Sequence, residues 1–535
     1  MTAADKSLPL NFSRRVVSPL LSQLKSRLAS PLGFLATGVL FVFCFPKWNA
    51  GGWLAWGAFV PFLLAARQGT YRSAARWGGF AGLVAHLGTM AWVYPTCRWG
   101  GVGIFFSAVA LLALCSYLAA FWVLFAVAVR ALDGHRAAKP FLVAAVWVAL
   151  EFLRTHLFSG FPWLLLAVSQ WKVPKHLPLA EFGGAYAVSF LVMLFNAGVA
   201  LVVEGAGRRA GRSSWRAALP AAAALIGLTV ASVLLWRRPF VPSGPAVNVA
   251  IVQGNIDQYK KWNETYEKEI VSAYTALTQR AAERRPRIIV WPETAVPGWI
   301  PNDEKYLKWI AGLGRETGAW IVFGAVSRQE GGDYNAAFLM SPAGELLGLY
   351  RKQHLVPFGE FVPLKSLFGR LVGVLNALGD FDAGPAPSLL KATEPLGVNV
   401  CFEGIFPGMV REFTREGARL LVNITNDGWY RDTAAPEQHF ASNVLRAVEN
   451  KRWVIRAANT GISGFISPKG ETAERSALLE PAVVFGAPEP VGVLPFYVRR
   501  GDVLAWACVA LSLLSLGMLV SPLARPPPLS ARHKE

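Results

Sequence analysis

The sequence predicts two kinds of fold in one chain: a polytopic α-helical membrane domain of about eight spans, and an extracytoplasmic α/β domain whose sheets are covered by helices. Three observations predict this. Hydrophobic residues make up 53% of the 535 and charged ones only 16%, too apolar for an ordinary soluble enzyme. The apolar residues crowd into 30–236 and 503–521, in runs such as GIFFSAVALLALCSYLAAFWVLFAVAV, which meet the roughly 20 residues needed to cross a bilayer. From 247 to about 490 these runs give way to short β-rich segments alternating with amphipathic stretches.

Eight spans are expected near 30–46, 52–66, 75–95, 102–129, 140–158, 178–203, 216–236 and 503–521. An even number puts both termini on one side, and the positive-inside rule says which. Arg and Lys cluster before span one and after spans two, four, six and eight, where 18 basic residues face Asp5, Asp133, Glu204 and Glu535. The alternate loops hold only Lys47, Arg98, Arg154, Lys172 and Lys175. Residues 1–29 are therefore read as a cytoplasmic segment, 30–236 as a membrane domain of about seven spans, 237–502 as the extracytoplasmic domain, 503–521 as the last span and 522–535 as a cytoplasmic tail. Span one reads as an uncleaved anchor, since what precedes it is too long and polar for a signal n-region. GAGRRAGRSS reads as a loop and RPPPLSARHKE as a disordered tail. The same topology accounts for the formal charge of +19, because residues 237–502 carry 30 basic against 28 acidic residues. Nucleic-acid binding is not expected from a charge so distributed.

In the outer domain, VNVAIVQGNI, PRIIVWPET and WIVFGAVS read as strands, while KWNETYEKEIVSAYTALTQRAAERR and EKYLKWIAGLGRET read as helices. YNAAFLMSPAGELLGLYRK reads as a hairpin turning at Pro342, Ala343 and Gly344. LGVNVCFEG, ARLLVNITND and WVIRAANTG are three further strands.

Cys401 is the one cysteine outside a membrane-length apolar run, since Cys44, Cys97, Cys115 and Cys508 lie in or beside such runs. Unable to pair within its domain, it is core filler, metal ligand or nucleophile. Glu293, Lys352 and Cys401 each sit at the carboxyl end of a buried-looking strand, where ligand sites of α/β folds gather. An acid, a cation and a thiol suit acyl transfer: the carboxylate takes the thiol proton, the thiolate attacks a carbonyl, and the ammonium stabilises the oxyanion. Each residue also has a plain structural reading. Glu293 is placed to cap a helix or turn, Lys352 to end a solvated strand, and Cys401 to fill a core. No second cysteine or His pair at ligand spacing supports a metal, and no cofactor is expected.

The strings WPET, YRKQHLVPFGEFVP and NVCFEG, in this order, resemble the Glu-Lys-Cys signature of the nitrilase superfamily. Preceded by about seven spans and followed by one, the domain resembles the apolipoprotein N-acyltransferase family, as do GFPW, VQGNI followed by Lys261 and Trp262, HLVPFGE, NDGWY and RAANTGISG. The resemblance implies a four-layer αββα sandwich on a membrane domain in the bacterial inner membrane, with the catalytic domain periplasmic. It implies Glu293 as general base, Lys352 as oxyanion partner, Cys401 as nucleophile and the Phe402 N–H as a second oxyanion donor. Glu360 and Glu403 would be auxiliary acids that orient Lys352 and Glu293 or handle protons. Trp262, Asn335, Trp429 and Trp163 would contact substrate. Relatives often carry Tyr where this chain has Phe402. The implied reaction moves an acyl chain from the sn-1 position of a phospholipid, through a Cys401 thioester, to the α-amine of the diacylglyceryl-cysteine of an apolipoprotein. Phospholipid and diacylglyceryl apolipoprotein are thus the implied partners. The alternative is a membrane-tethered amidase acting on small carbon–nitrogen substrates. A monomer is expected, as no coiled-coil or repeat signal is present.

Three further features bear on lipid. In 364–382, Leu367, Leu371, Val374, Leu375 and Leu378 fall near helical spacing, as in a core helix or a lid that dips into the interface. Glu151, Arg154 and Glu181 fall near the outer ends of spans five and six, placed for headgroup binding or for structural pairing. Trp163, at similar depth, reads first as an interfacial belt residue.

Overall fold

The computed structural model describes residues 31–48, 52–132, 137–207, 211–261, 263–329, 331–362 and 381–520. Among these, three helices are long and apolar enough to cross a membrane: Ile104–Ala131, Ala185–Glu204 and Arg216–Arg237. Pro31–Phe43, Trp53–Ala66 and Val503–Gly517 are apolar but shorter. Two other expected spans are the helices Tyr71–Thr89 and Lys139–His156, whose Arg72, Arg76, Lys139, Glu151 and Arg154 lower their hydropathy. The second span is not one continuous helix: a 3₁₀ turn, Trp53–Trp56, gives way at Gly57 to Val60–Ala66. The segment read as a loop, 205–214, is largely helical, since one helix runs to Gly207 and the next starts at Gly211. Tyr71–Thr89 packs tightly on Ile104–Ala131, where a Cβ at Gly82 would lie 2.7 Å from the Trp122 side chain.

The two-sheet domain has thirteen strands among the described residues. In chain order they are β1 (Val249–Gln253), β2 (Ile288–Val290), β3 (Trp299–Ile300), β4 (Trp320–Gln329), β5 (Gly332–Met340), β6 (Leu346–Arg351) and β7 (Leu390–Lys391). Then come β8 (Pro395–Val400), β9 (Leu420–Thr425), β10 (Val454–Ala458), β11 (Gly464–Ile466), β12 (Thr472–Ala473) and β13 (Ala482–Gly486). One sheet has the order β13-β1-β2-β4-β5-β6 with β3 beside β4, and the other β12-β11-β10-β9-β8-β7. Parallel pairing joins β1, β2 and β4 in the first sheet and β8, β9 and β10 in the second, so each sheet is mixed.

Alternation along the strands makes the layers. Val249, Ile251, Ile288, Val290, Val322 and Leu339 share a core with Val398, Val422 and Ile455 of the other sheet. Their alternates Ala250, Ile289, Ile321 and Phe338 pack on Ile270 and Tyr274 of helix Glu267–Ala282 and Ile310 of helix Glu304–Thr317. Helices Pro407–Arg415 and Ala435–Asn450 cover the second sheet. The order is αββα.

Helix Ala435–Asn450 also docks the sandwich on the membrane domain. Gln438 Oε1 accepts from Trp92 Nε1 at 3.1 Å and Trp163 Nε1 at 2.8 Å, and its Nε2 donates to the carbonyls of Pro46 and Thr89 at 2.9 and 3.1 Å. Glu449, gripped by Arg446 at 2.7 Å, accepts the N–H of Ala185 at 2.7 Å. That places a carboxylate at the start of helix Ala185–Gly207, where the helix dipole favours negative charge.

Candidate active site

The two sheets contribute different chemistry to one place. From the first come Glu293, three residues past β2, and Lys352, immediately past β6; from the second comes Cys401, immediately past β8. All three are buried, at 6%, 1% and 8% exposure, so Lys352 is not the end of a solvated strand.

Lys352 Nζ lies 2.9 and 2.8 Å from the two Glu360 oxygens and 3.7 Å from Glu293 Oε1. Burial works against its charge, but Glu360 and then Glu293 outweigh that and hold its pKa above the usual lysine range. Asn335, on β5, donates Nδ2 to Glu293 Oε1 at 2.6 Å and to Glu360 Oε1 at 2.8 Å. It thus spaces two carboxylates around one ammonium, and its Oδ1 finds no partner among the described residues. Glu293 Oε2 accepts the N–H of Asn426, just past β9, at 2.7 Å. This carboxylate links the sheets rather than merely capping a turn. Gly324 lets the strands close over it, because a Cβ there would lie 2.6 Å from Glu293 Cα.

Cys401 departs from its strand in the left-handed region, φ 53°, and opens the 3₁₀ turn Cys401–Ile405. A non-glycine residue held there is strained and persists only where its surroundings fix it. Its carbonyl is fixed by Asn423 Nδ2 at 3.3 Å and faces His439 Nε2 at 3.1 Å. Burial chiefly, then the Glu293 carboxylate, raises the thiol pKa, against a smaller opposing effect of Lys352. The resting sulfur is therefore a neutral thiol that needs a base. The N–H of Phe402 belongs to the first turn of that segment, whose leading donors have no intrahelical acceptor.

The auxiliary acids divide. Glu360 grips Lys352 as expected and also accepts the Val356 N–H at 2.9 Å. Glu403 touches neither Lys352 nor Glu293. It accepts from Tyr350 Oη at 2.9 Å, from the N–H groups of Gln353 and His354 at 2.7 and 3.1 Å, and from the Val400 N–H at 2.7 Å. It braces the chain after Lys352 against the strand entering Cys401, because buried backbone donors at both places need an acceptor.

The expected substrate contacts also divide. Trp262 and residues 364–380 of the expected lid lie outside the described residues. Trp429 is half-buried on a 3₁₀ turn past β9. Trp163 is not an interfacial belt residue: at 1% exposure it is clamped between Trp92, Phe161, Tyr430 and His439. Phe402 packs on Phe406 at 5.1 Å, His354 at 5.9 Å and Phe161 at 6.4 Å. The membrane domain's GFPW segment thereby reaches the residue after Cys401.

Two groups had no role in the sequence reading. Lys261, fully buried, donates to the Glu293 carbonyl and to Thr294 Oγ1, both at 3.1 Å. Burial lowers its pKa to about 7. Beneath Cys401 runs a chain in which Arg456 donates to Asp427 Oδ2 at 2.9 Å and Asp427 Oδ1 faces His439 Nδ1 at 3.0 Å. Burial alone would raise Asp427, but Arg456 and His439 hold its carboxyl below the usual range. NDGWY and RAANTGISG contain Asp427 and Arg456, but nothing in their spacing ties them to a histidine twelve residues on.

Residues 37–198 match the apolipoprotein N-acyltransferase N-terminal domain, and residues 248–486 match the carbon-nitrogen hydrolase family. The apolipoprotein N-acyltransferase of Geobacter metallireducens is 36% identical over 485 residues, covering 89% of this chain and 92% of the relative. That of Nitrosomonas europaea is 34% identical over 85% of this chain and 90% of its own, and that of Methylococcus capsulatus 34% over 79% and 82%. Among solved structures, a Nesterenkonia amidase from the nitrilase superfamily aligns with 50% of this chain and 99% of its own at 19% identity and a TM-score of 0.38. With relatives matched along nearly their whole length through both the membrane and the two-sheet domain, this chain belongs to the apolipoprotein N-acyltransferase family.

Proposed function

We propose that the protein transfers a fatty acyl chain from the sn-1 position of a phospholipid to the α-amine of the N-terminal diacylglyceryl-cysteine of apolipoproteins, through a thioester on Cys401. The observation that carries this over the amidase reading is the seam between domains: Phe161 of the membrane domain against Phe402, beside the nucleophile. An amidase for small soluble substrates has no need of a membrane domain built into its site.

In the first half-reaction Glu293 takes the Cys401 proton and the sulfur attacks the ester carbonyl. The oxyanion forms against the Lys352 ammonium and the Phe402 N–H. Collapse breaks the ester C–O bond, and the lysophospholipid leaves with the proton from Glu293. In the second, the α-amine attacks the thioester and gives a proton to Glu293. Collapse expels the Cys401 sulfur, which takes that proton back. Water must be excluded between the two halves, and the buried site serves that end. On this reading the enzyme is a monomer with eight spans in the bacterial inner membrane, both termini cytoplasmic and residues 237–502 periplasmic.

The test is to incubate the purified protein with phosphatidylethanolamine and seek an acyl adduct on Cys401 by mass spectrometry. The expected result is a hydroxylamine-labile adduct that Cys401→Ser cannot form as a thioester. No adduct on the wild type rejects the proposal.

A further inference from the structure

The membrane domain holds a guanidinium most of whose donors have no hydrogen-bond acceptor among the described residues. Arg154, 7% exposed near the end of helix Lys139–His156, makes one hydrogen bond among the described residues, from Nη2 to the Leu164 carbonyl at 3.5 Å. That bond is long and weak. Glu151, nearly one turn earlier, spends Oε1 on the Leu166 N–H at 2.6 Å, and its Oε2 has no partner among the described residues. Glu151 acts on Arg154 electrostatically, but no carboxylate of the described residues comes within ion-pair distance of it. A guanidinium carries five N–H donors, and an ionisable group in a membrane domain marks a site by default.

The surroundings indicate what completes it. Arg154 and Glu151 line a shallow, half-open cleft whose other walls are Leu118, Phe121, Trp122, Trp147 and Leu150. Nearby Tyr117 Oη and both ring nitrogens of His86 also lack partners among the described residues. Toward the ends of the two helices stand exposed aromatics: Phe158 at 86%, its ring 6.1 Å from Tyr117, and Phe105 at 71%. Apolar walls, surplus donors and an aromatic rim suit an amphiphile whose polar part carries strong acceptors. Guanidinium matches phosphate oxygens in a bidentate fork. The cleft also adjoins the reaction site, since the Phe161 N–H donates to the Arg154 carbonyl at 2.9 Å and its ring reaches Phe402.

We propose that this cleft binds the phosphodiester of the acyl-donor phospholipid, with Arg154 taking the phosphate oxygens and the apolar walls taking the glycerol and first methylenes. This rests on the phospholipid reading above, which it deepens by assigning the headgroup a place. The first test uses the wild-type enzyme and needs no turnover. Arg154 is modified with phenylglyoxal and mapped by mass spectrometry in the presence of lysophosphatidylethanolamine, a monoacylglycerol of the same chain, or inorganic phosphate at equal concentration. Only the lysophospholipid should protect, by about five-fold or more for a site mostly filled. Equal protection by the monoacylglycerol, equal protection by inorganic phosphate, or none from any of the three overturns the proposal. The second test compares donors: Arg154→Gln should raise KM for phosphatidylethanolamine about ten-fold or more relative to a p-nitrophenyl ester, the scale of a lost charged hydrogen bond, with Arg154→Lys between. Equal loss with both donors means a structural role and overturns the proposal. Failure of the acyltransferase reading would show separately, as a wild type that phosphatidylethanolamine does not acylate.

Discussion

Two buried cations of this protein are held in opposite ways. Lys352 is met by both oxygens of Glu360 and, at 3.7 Å, by Glu293, whereas Arg154 has a single 3.5 Å bond to a carbonyl. A cation already matched by carboxylates is fixed in place before substrate arrives and costs no reorganisation when an oxyanion forms beside it. A cation left with free donors is completed by what binds. On the two proposals above, the difference separates a group that performs chemistry from one that captures a ligand.

The largest expected effects break the first half of this comparison. Glu293→Gln should slow Cys401 acylation about 10²–10⁴-fold, the usual worth of a general base, with thermal stability kept, as followed by adduct formation over time. Lys352→Met should cost about 10²–10³-fold in the same assay, the scale of one oxyanion donor. Glu360→Gln should cost less, about ten-fold, because Lys352 keeps its charge and loses one charged bond; no change in rate would mean that Glu360 does not hold the ammonium. The smallest effect concerns stability. Lys261 has a folded pKa near 7 against the ordinary lysine value of 10.5, so the unfolded chain binds more protons between those values and stability should rise with pH across that window. Thermal melts from pH 7 to 10 should show that slope in the wild type and a flatter one in Lys261→Met.

Much of the outer domain was legible because its periodicity is clean. The helix expected over 304–317 is Glu304–Thr317, and the hairpin turning at 342–344 is β5 and β6. The short pairs β3, β7 and β12, two residues each, carry no alternation to read. The membrane helices were legible as apolar runs, but their breaks at Gly57 and Met90 depend on packing rather than composition. Glu293, Lys352 and Cys401 were legible as ionisable residues at strand ends. Asn335 as a spacer, Glu403 as a brace and the buried placing of Trp163 were not, since each depends on which backbone or ring lies opposite. The left-handed turn at Cys401 has no signal in NVCFEG at all.

The four hydrogen bonds of Gln438 have a consequence for how lipids are measured. They fasten the sandwich to Pro46, Thr89, Trp92 and Trp163, and the next residue, His439, faces the carbonyl of Cys401. One amide and its neighbour thus fix the position of the sulfur relative to the membrane domain. In any diacyl phospholipid the sn-1 ester lies at nearly the same depth whatever the length of its chain. On the proposed acyl transfer, a sulfur so fixed would read that depth, like a gauge cut for one step, and leave the length of the tail unmeasured.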